Sequence, residues 1–541
     1  MVGRLYRWFD RNVLELGREL RLSFLPPLMV YAAYGISGLT SIVGTFFVKD
    51  YLGLSAEFLA ALMFWANIPW ALKMPLGHLV DLIWRYKSVL VFLGAALIAA
   101  SLLIMIGLLS HTNAMRAIMP ISVWYVISVL LAPVGYILQD VVADAMTVEA
   151  VPRVDSEGEP IDPARIRLMH TTMQTLGRVA IVAGGIFVAL LNVYKFSGVE
   201  TMTEADKVQV YVDIFQLALL IPLISVLGVT LGGYIKIRDA ARLRQQGYAW
   251  KAAWELVQGK LEKTAPNWWI LIGSLVFVVF TISTGLSDLP LREEIIFSGS
   301  MGIVLFLMIR LVRVLDDASK RVLVGTAVII FVYRAMPLPG PGETWWMIDK
   351  LGFDQQFLSV LSLISSSLAL IGMFIFRRFM AERSIAYVIG FLTIIGFILY
   401  LPVIGMYYGL HVWTMQHTNG VVDAHFIALV DTALESPLGQ VAMIPMLAWI
   451  ANSAPANLKA TFFAVMASFT NLALSLSQLG TKYVNQIFFV TREVQDHATG
   501  NITVPADYSE LGMLLIVVST ITLLLPLAAI MVVKATPLRS A

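Results

Sequence analysis

Apolar stretches long enough to cross a lipid bilayer recur from one end of this sequence to the other, and no long polar domain interrupts them. A hydrocarbon core of about 30 Å takes about 20 helical residues to cross. Inside lipid the backbone must bond to itself, which leaves helices or closed barrels. Hydrophobic residues make up 58% of the chain and charged ones 14%, against about 25% charged in soluble domains. These features predict an all-α polytopic protein integral to the plasma membrane, with the lipid bilayer as a partner. Cysteine is absent, which removes disulfides, thiolate nucleophiles and Cys-ligated metal. A net charge of +2 argues for no nucleic-acid partner.

Turn and charge signals place spans near 24–48, 56–78, 88–109, 117–148, 167–193 and 211–235, and again near 320–338, 355–377, 384–409, 423–451, 458–487 and 510–534. Two more fall between these sets of six, near 267–286 and 294–313, for fourteen in all. With both termini cytoplasmic, about 27 Lys and Arg fall inside and about 6 outside, as the positive-inside rule requires. The expected organisation is an amphipathic leader over 1–23, a six-helix bundle over 24–236, and a linker over 237–265. An inserted pair over 266–314, a second bundle over 315–536 and a tail over 537–541 complete it. Within the linker, Trp250, Trp254, Val257 and Leu261 recur at helical spacing, the pattern of a surface helix.

Ionisable residues at depth carry the functional information, because charge in lipid faces the bundle interior and needs a partner. A rise of 1.5 Å per residue puts Asp140 roughly 14 Å from the cytoplasmic surface, Asp144 roughly 8 Å, Arg178 roughly 16 Å and Lys73 near the depth of Asp144. One pairing that neutralises all four joins Asp140 to Arg178 and Asp144 to Lys73. The deeper Asp140, Arg178 and Arg334 suit the lining of a binding site, whereas Lys73 and Asp144 suit a gate. In the second half, Asp431 and Glu435 share a helix face, and the following Ser436, Pro437 and Gly439 favour a broken helix of the kind that lines transporter sites. Asn471 and Gln478 add polar groups two turns apart. Lys482 lies nearer the outer surface, where it can snorkel. His411, His417 and His425 match no zinc spacing, so no metal or cofactor is expected. No phosphate-binding loop is present, nor any grouping of nucleophile, base and oxyanion donor, so an enzyme is not expected.

Several motifs resemble the folate-biopterin transporter family, a branch of the major facilitator superfamily. F-V-K-D-Y-L-G-L-S-A-E-F-L-A from Phe47 and I-P-W-A-L-K-M-P-L-G-H-L-V-D from Ile68 are similar to its first hairpin and its P-W-x-x-K-P-x-x-G-x-x-x-D signature. Q-D-V-V-A-D from Gln139 resembles its D-V-x-x-D element, while L-G-F-D-Q-Q-F from Leu351 and A-P-A-N-L-K-A-T-F-F from Ala454 resemble second-half counterparts. Met74 displaces the signature proline, and the loop L-I-W-R-Y-K-S is shorter than the family's. The resemblance implies a major facilitator fold whose two six-helix bundles alternate access to a solute between them. Asp81 is similar to the acid of the loop that latches the cytoplasmic side in that superfamily.

The expectation is a monomeric secondary transporter in a bacterial inner membrane, moving a pterin-like, folate-like or other anionic organic solute with protons as the coupling ion. Adjacent donors on a pterin edge suit a carboxylate, and a folate tail suits Arg. The alternative is a non-transporting membrane protein that delivers a hydrophobic cofactor or scaffolds a complex.

Overall fold

The computed structural model describes residues 20–51, 54–71, 73–152, 161–258, 268–285, 287, 289–313, 315–376, 379, 383–439, 441, 459–495 and 502–540. Most of the leader expected over 1–23 lies outside them, as does the end of the twelfth expected span, over 442–451.

The first half contains α1 (Leu25–Ile36), which passes through a 3-10 turn at Ser37–Thr40 into α2 (Ser41–Tyr51), then α3 (Ala56–Ala71), α4 (Lys73–Leu82) and α5 (Ser88–Ser110). It continues through α6 (Thr112–Ile118), α7 (Ile121–Ala150), α8 (Pro163–Lys195), α9 (Glu204–Ala218) and α10 (Leu220–Gln245). A short helix, α11 (Trp250–Gln258), precedes the inserted pair α12 (Trp268–Gly285) and α13 (Arg292–Val312). The second half contains α14 (Asp317–Arg334), α15 (Pro341–Leu351), α16 (Gln355–Ile375), α17 (Ile385–Tyr407), α18 (Leu410–His417), α19 (Ala424–Glu435), α20 (Lys459–Ile487) and α21 (Leu511–Ala535). A small antiparallel ribbon, Val494–Gln495 with Ile502–Val504, joins the last two helices.

Eight helical runs among the described residues are long and apolar enough to cross a membrane. The other expected spans are helical over most of their described residues but are shorter, more polar or interrupted: α3 with α4, α12, α13, α14, α19 and α20. The run expected over 211–235 extends through its basic end to Gln245, because Ile235, Ala240 and Leu243 keep an apolar stripe buried there. Second-half helices begin on side-chain caps that satisfy otherwise orphaned amides. Asp316, Asp354, Ser384 and Asp423 accept from backbone N–H groups at the starts of α14, α16, α17 and α19.

Small residues let the first-half helices close up, as lipid-embedded packing requires. A Cβ at Gly94 would lie 2.5 Å from the Gly135 carbonyl oxygen, so α5 meets α7 backbone to backbone. At Gly35 it would lie 2.2 Å from the carbonyl oxygen of Ile181, which brings α1 onto α8 in the same way.

Phe24, at the start of α1, clusters with Ala150 at the end of α7 and Met169 near the start of α8. The Arg539 amide, past α21, donates to the carbonyl of Arg321 at the start of α14 over 3.3 Å. These helix ends form one face, here called terminal, and the opposite ends form the distal face. One apolar cluster joins both halves at the distal face, with Phe47, Tyr211 and Phe215 from the first half and Trp345, Trp346 and Phe353 from the second. The first-half clusters at the terminal end, around Val141 and around Met173, contain first-half residues alone.

Candidate functional site

The deepest charges of the first half meet on three helices. Asp140 and Asp144 lie one turn apart on α7, so a single cation on a neighbouring helix can serve both. Lys73, at the start of α4, does so: its Nζ lies 2.6 Å from Asp140 Oδ2 and 2.8 Å from Asp144 Oδ2. Tyr31 on α1 completes the group by donating its hydroxyl to Asp144 Oδ1 at 2.6 Å. The pairing Asp140 to Arg178 is thus corrected: Lys73 takes both acids. Arg178 acts on Asp140 through its charge but makes no ion pair with a described residue. Depth along the helix axis misplaces a lysine head, because the flexible four-carbon stem carries the ammonium to another level. Asp140 keeps 14% of its side-chain surface accessible and Asp144 41%, so Asp144 faces the more open space.

An aromatic wall stands beside these charges. The ring of Tyr34 on α1 packs edge-on against Trp70 of α3 at 5.8 Å and against Tyr136 of α7 at 5.7 Å. Tyr136 lies one turn before Asp140. Aromatic groups of this kind offer a face to a flat heteroaromatic solute.

In the second half, α19 ends at Glu435 and a 3-10 turn follows at Ser436–Leu438. Pro437 presses its carbonyl oxygen to within 2.1 Å of where a Cβ on Gly372 would lie, so only glycine on α16 admits the break. Asp431 and Glu435 remain on one face, and Asp431 Oδ1 is buried with no described hydrogen-bond partner. A third acid joins them. Glu343 on α15 accepts the Tyr400 hydroxyl at 2.7 Å and feels the charges of Glu435 and Asp431. Arg334 is half-buried at the end of α14, one short connection before α15. Sequence reasoning missed Glu343 because P-G-E-T-W-W reads as a loop. Proline at the first helical position followed by the Trp345 and Trp346 anchors, both buried, is the signal that would have found it.

Contacts between halves crowd the distal side. Arg492, 3% exposed, donates to the carbonyls of Leu54 at 2.8 Å and Val48 at 2.6 Å and stacks over Trp345 at 4.5 Å. Gln355 donates to the Tyr211 hydroxyl at 2.8 Å, and Gln486 donates to Glu57. Deeper in the seam, Asn471 of α20 donates to the Trp70 carbonyl of α3 at 3.2 Å; Gln478, two turns on, is half-buried. At the terminal end of the first half, Glu149 holds Lys87 at 2.5 Å and Lys236 at 2.6 Å. Asp81 lies on α4, and its side chain is outside the described residues.

Lys482 does not snorkel; it reaches the inserted helix. Its Nζ lies 3.4 Å from both Glu293 and Glu294 of α13. Glu293, 7% exposed, also accepts from Trp65 Nε1 of α3 at 3.3 Å. One carboxylate therefore touches both halves.

Helices packed in two sets along a shared seam give a fold of the major facilitator type. The chain belongs to the BT1 family, which it matches over residues 34–539. It is 23% identical to the folate-biopterin transporter of Synechocystis sp. over 475 residues, 87% of this chain and 76% of that one. Folate transporter 2 of Plasmodium falciparum is 27% identical over 164 residues, 30% of this chain and 34% of that one. Among solved structures, a POT family transporter in complex with 5-aminolevulinic acid superposes with a TM-score of 0.59 at 12% identity, covering 95% of each chain. The nucleoside transporter NupG gives 0.53 at 11% identity, covering 94% of this chain and 99% of that one. The protein is an integral membrane transporter rather than an enzyme.

Proposed function

We propose that the protein is a proton-coupled secondary transporter of a pterin-like or folate-like solute, working as a monomer by alternating access in a bacterial inner membrane with both termini cytoplasmic. The observation that carries this reading is the juxtaposition of Lys73, Asp140 and Asp144 with the wall of Tyr34, Trp70 and Tyr136. A pterin ring stacks on the wall and presents its adjacent donors to a carboxylate, while Arg178 and Arg334 attract the carboxylates of a folate tail. The name of the cyanobacterial relative supports the same solute class.

Proton coupling rests on charge balance. Two acids in the first half share Lys73 and the field of Arg178. In the second half Glu343 lies in the field of Glu435 and Asp431, so a proton on one acid lowers the crowding of like charge in a poorly solvated region. The distal contacts between halves hold that side closed in this reading, and the solute enters from the terminal face. In this reading Asp144, Lys73 and Asp81 act as gate residues, while Asp140, Arg178, Arg334, Asp431, Glu435, Asn471 and Gln478 line the path.

The test is uptake into proteoliposomes of labelled folate and biopterin, with and without an imposed pH gradient. Accumulation that follows the gradient is the expected result. Correctly inserted protein that moves neither solute overturns the substrate class, and uptake indifferent to the gradient overturns proton coupling.

A further inference from the structure

At the terminal face of the second half the chain end closes over a cavity of about 570 Å³, which is within the usual range for ligand pockets. The residues after α21 cross the starts of α14 and α17. Ala386, the second residue of α17, donates its amide to Ser540 Oγ at 3.2 Å. A Cβ at Gly325 would lie 2.2 Å from the Arg539 carbonyl oxygen, so the tail is pressed onto α14. The cavity is lined by Ile530, Val533 and Leu538 on its apolar side and by Arg321, Lys534 and Arg539 on its polar side. No acid is among its lining residues, and all three cations are exposed.

Two properties of this lining narrow the ligand. Three like charges around one concavity favour an anion. Ile530 and Val533 are buried in the core and Leu538 is half-buried, so it is the level of the charges along the helices that decides the kind of anion. Arg321 lies in the first turns of α14 and Lys534 in the last turn of α21, the level at which phospholipid headgroups meet spanning helices. Basic pockets between such helices bind anionic headgroups.

We propose that this cavity is a binding site for the headgroup of an anionic phospholipid, whose phosphodiester sits among Arg321, Lys534 and Arg539 beside the half-buried Leu538. Occupancy ties the tail to α14 and α17 from outside the solute path.

The test uses the full chain in detergent, titrated with phosphatidylglycerol, phosphatidylcholine or inorganic phosphate and read by native mass spectrometry. Wild type should retain phosphatidylglycerol over phosphatidylcholine, and each of Arg321→Gln, Lys534→Gln and Arg539→Gln should weaken that retention about 5-fold. Arg539→Gln alters only the exposed tail and keeps the test valid if Arg321→Gln or Lys534→Gln does not fold. Equal retention of the two lipids, or retention unchanged in Arg539→Gln, overturns the proposal. So does displacement of bound lipid by millimolar phosphate, which would make the occupant a free anion.

Discussion

Lys73 donates to Asp140 at 2.6 Å across a separation of 67 residues in sequence, and the same ammonium serves Asp144 at 2.8 Å. Removing it leaves two carboxylates facing each other where water is scarce. Lys73→Gln should cost about 3 kcal/mol, the low end for breaking a buried pair, because both partners keep some accessible surface. Thermal unfolding in detergent measures this. The double variant with Asp140→Asn should recover most of the loss, whereas purely additive losses would show that the two residues are not coupled.

The aromatic wall should set affinity rather than turnover. Tyr34→Leu removes two edge-on ring contacts, and an aromatic contact contributes about 1 kcal/mol. The half-saturating pterin concentration should rise by roughly 5-fold, with little change in maximal rate. Initial-rate uptake across a concentration series separates the two parameters, and an unchanged half-saturation would place the solute elsewhere.

Glu343 is the acid whose protonation should couple the cycle. Glu343→Gln keeps a partner for Tyr400 and removes the titratable group. Concentrative uptake driven by a pH gradient should disappear, while exchange of labelled for unlabelled solute persists. Loss of both activities would instead assign Glu343 to binding or packing.

Arg492 should act as the distal bolt. Arg492→Gln gives up contacts to the Leu54 and Val48 carbonyls, and a hydrogen bond to a charged group contributes about 1.5–3 kcal/mol. With no native cysteine, a single Cys introduced at Glu57 can be labelled without background. Its reaction with a membrane-impermeant maleimide should rise several-fold in the Arg492→Gln background. An unaltered labelling rate would mean the distal closure does not depend on this residue.

The eight long apolar runs and the acids on the helices were legible because hydropathy and charge are properties of short windows. Asp140, Asp144, Asp431 and Glu435 could be found in that way, and the helix break after Glu435 could be read from Ser436 and Pro437. Partnerships were not legible. Lys73 could be given a depth but not a direction, so its double pairing escaped, and Tyr31 and Tyr34 looked like ordinary apolar filler in the first span. Glu343 was hidden by a proline and glycine context that reads as a turn. Glu293 sat at the edge of an inserted span whose neighbours no local pattern could name.

The bridging position of Glu293 sets a term in the energy of the transport cycle. Its carboxylate accepts from Trp65 in the first half and from Lys482 in the second, so parting α3 from α20 at the distal end forfeits one of these bonds. A charge-assisted hydrogen bond of about 1.5–3 kcal/mol lowers the population of the distally open state by roughly 10- to 100-fold. If the protein works by the proposed alternating access, the inserted pair biases it toward one facing, and solute arriving from the distal side meets a small waiting fraction.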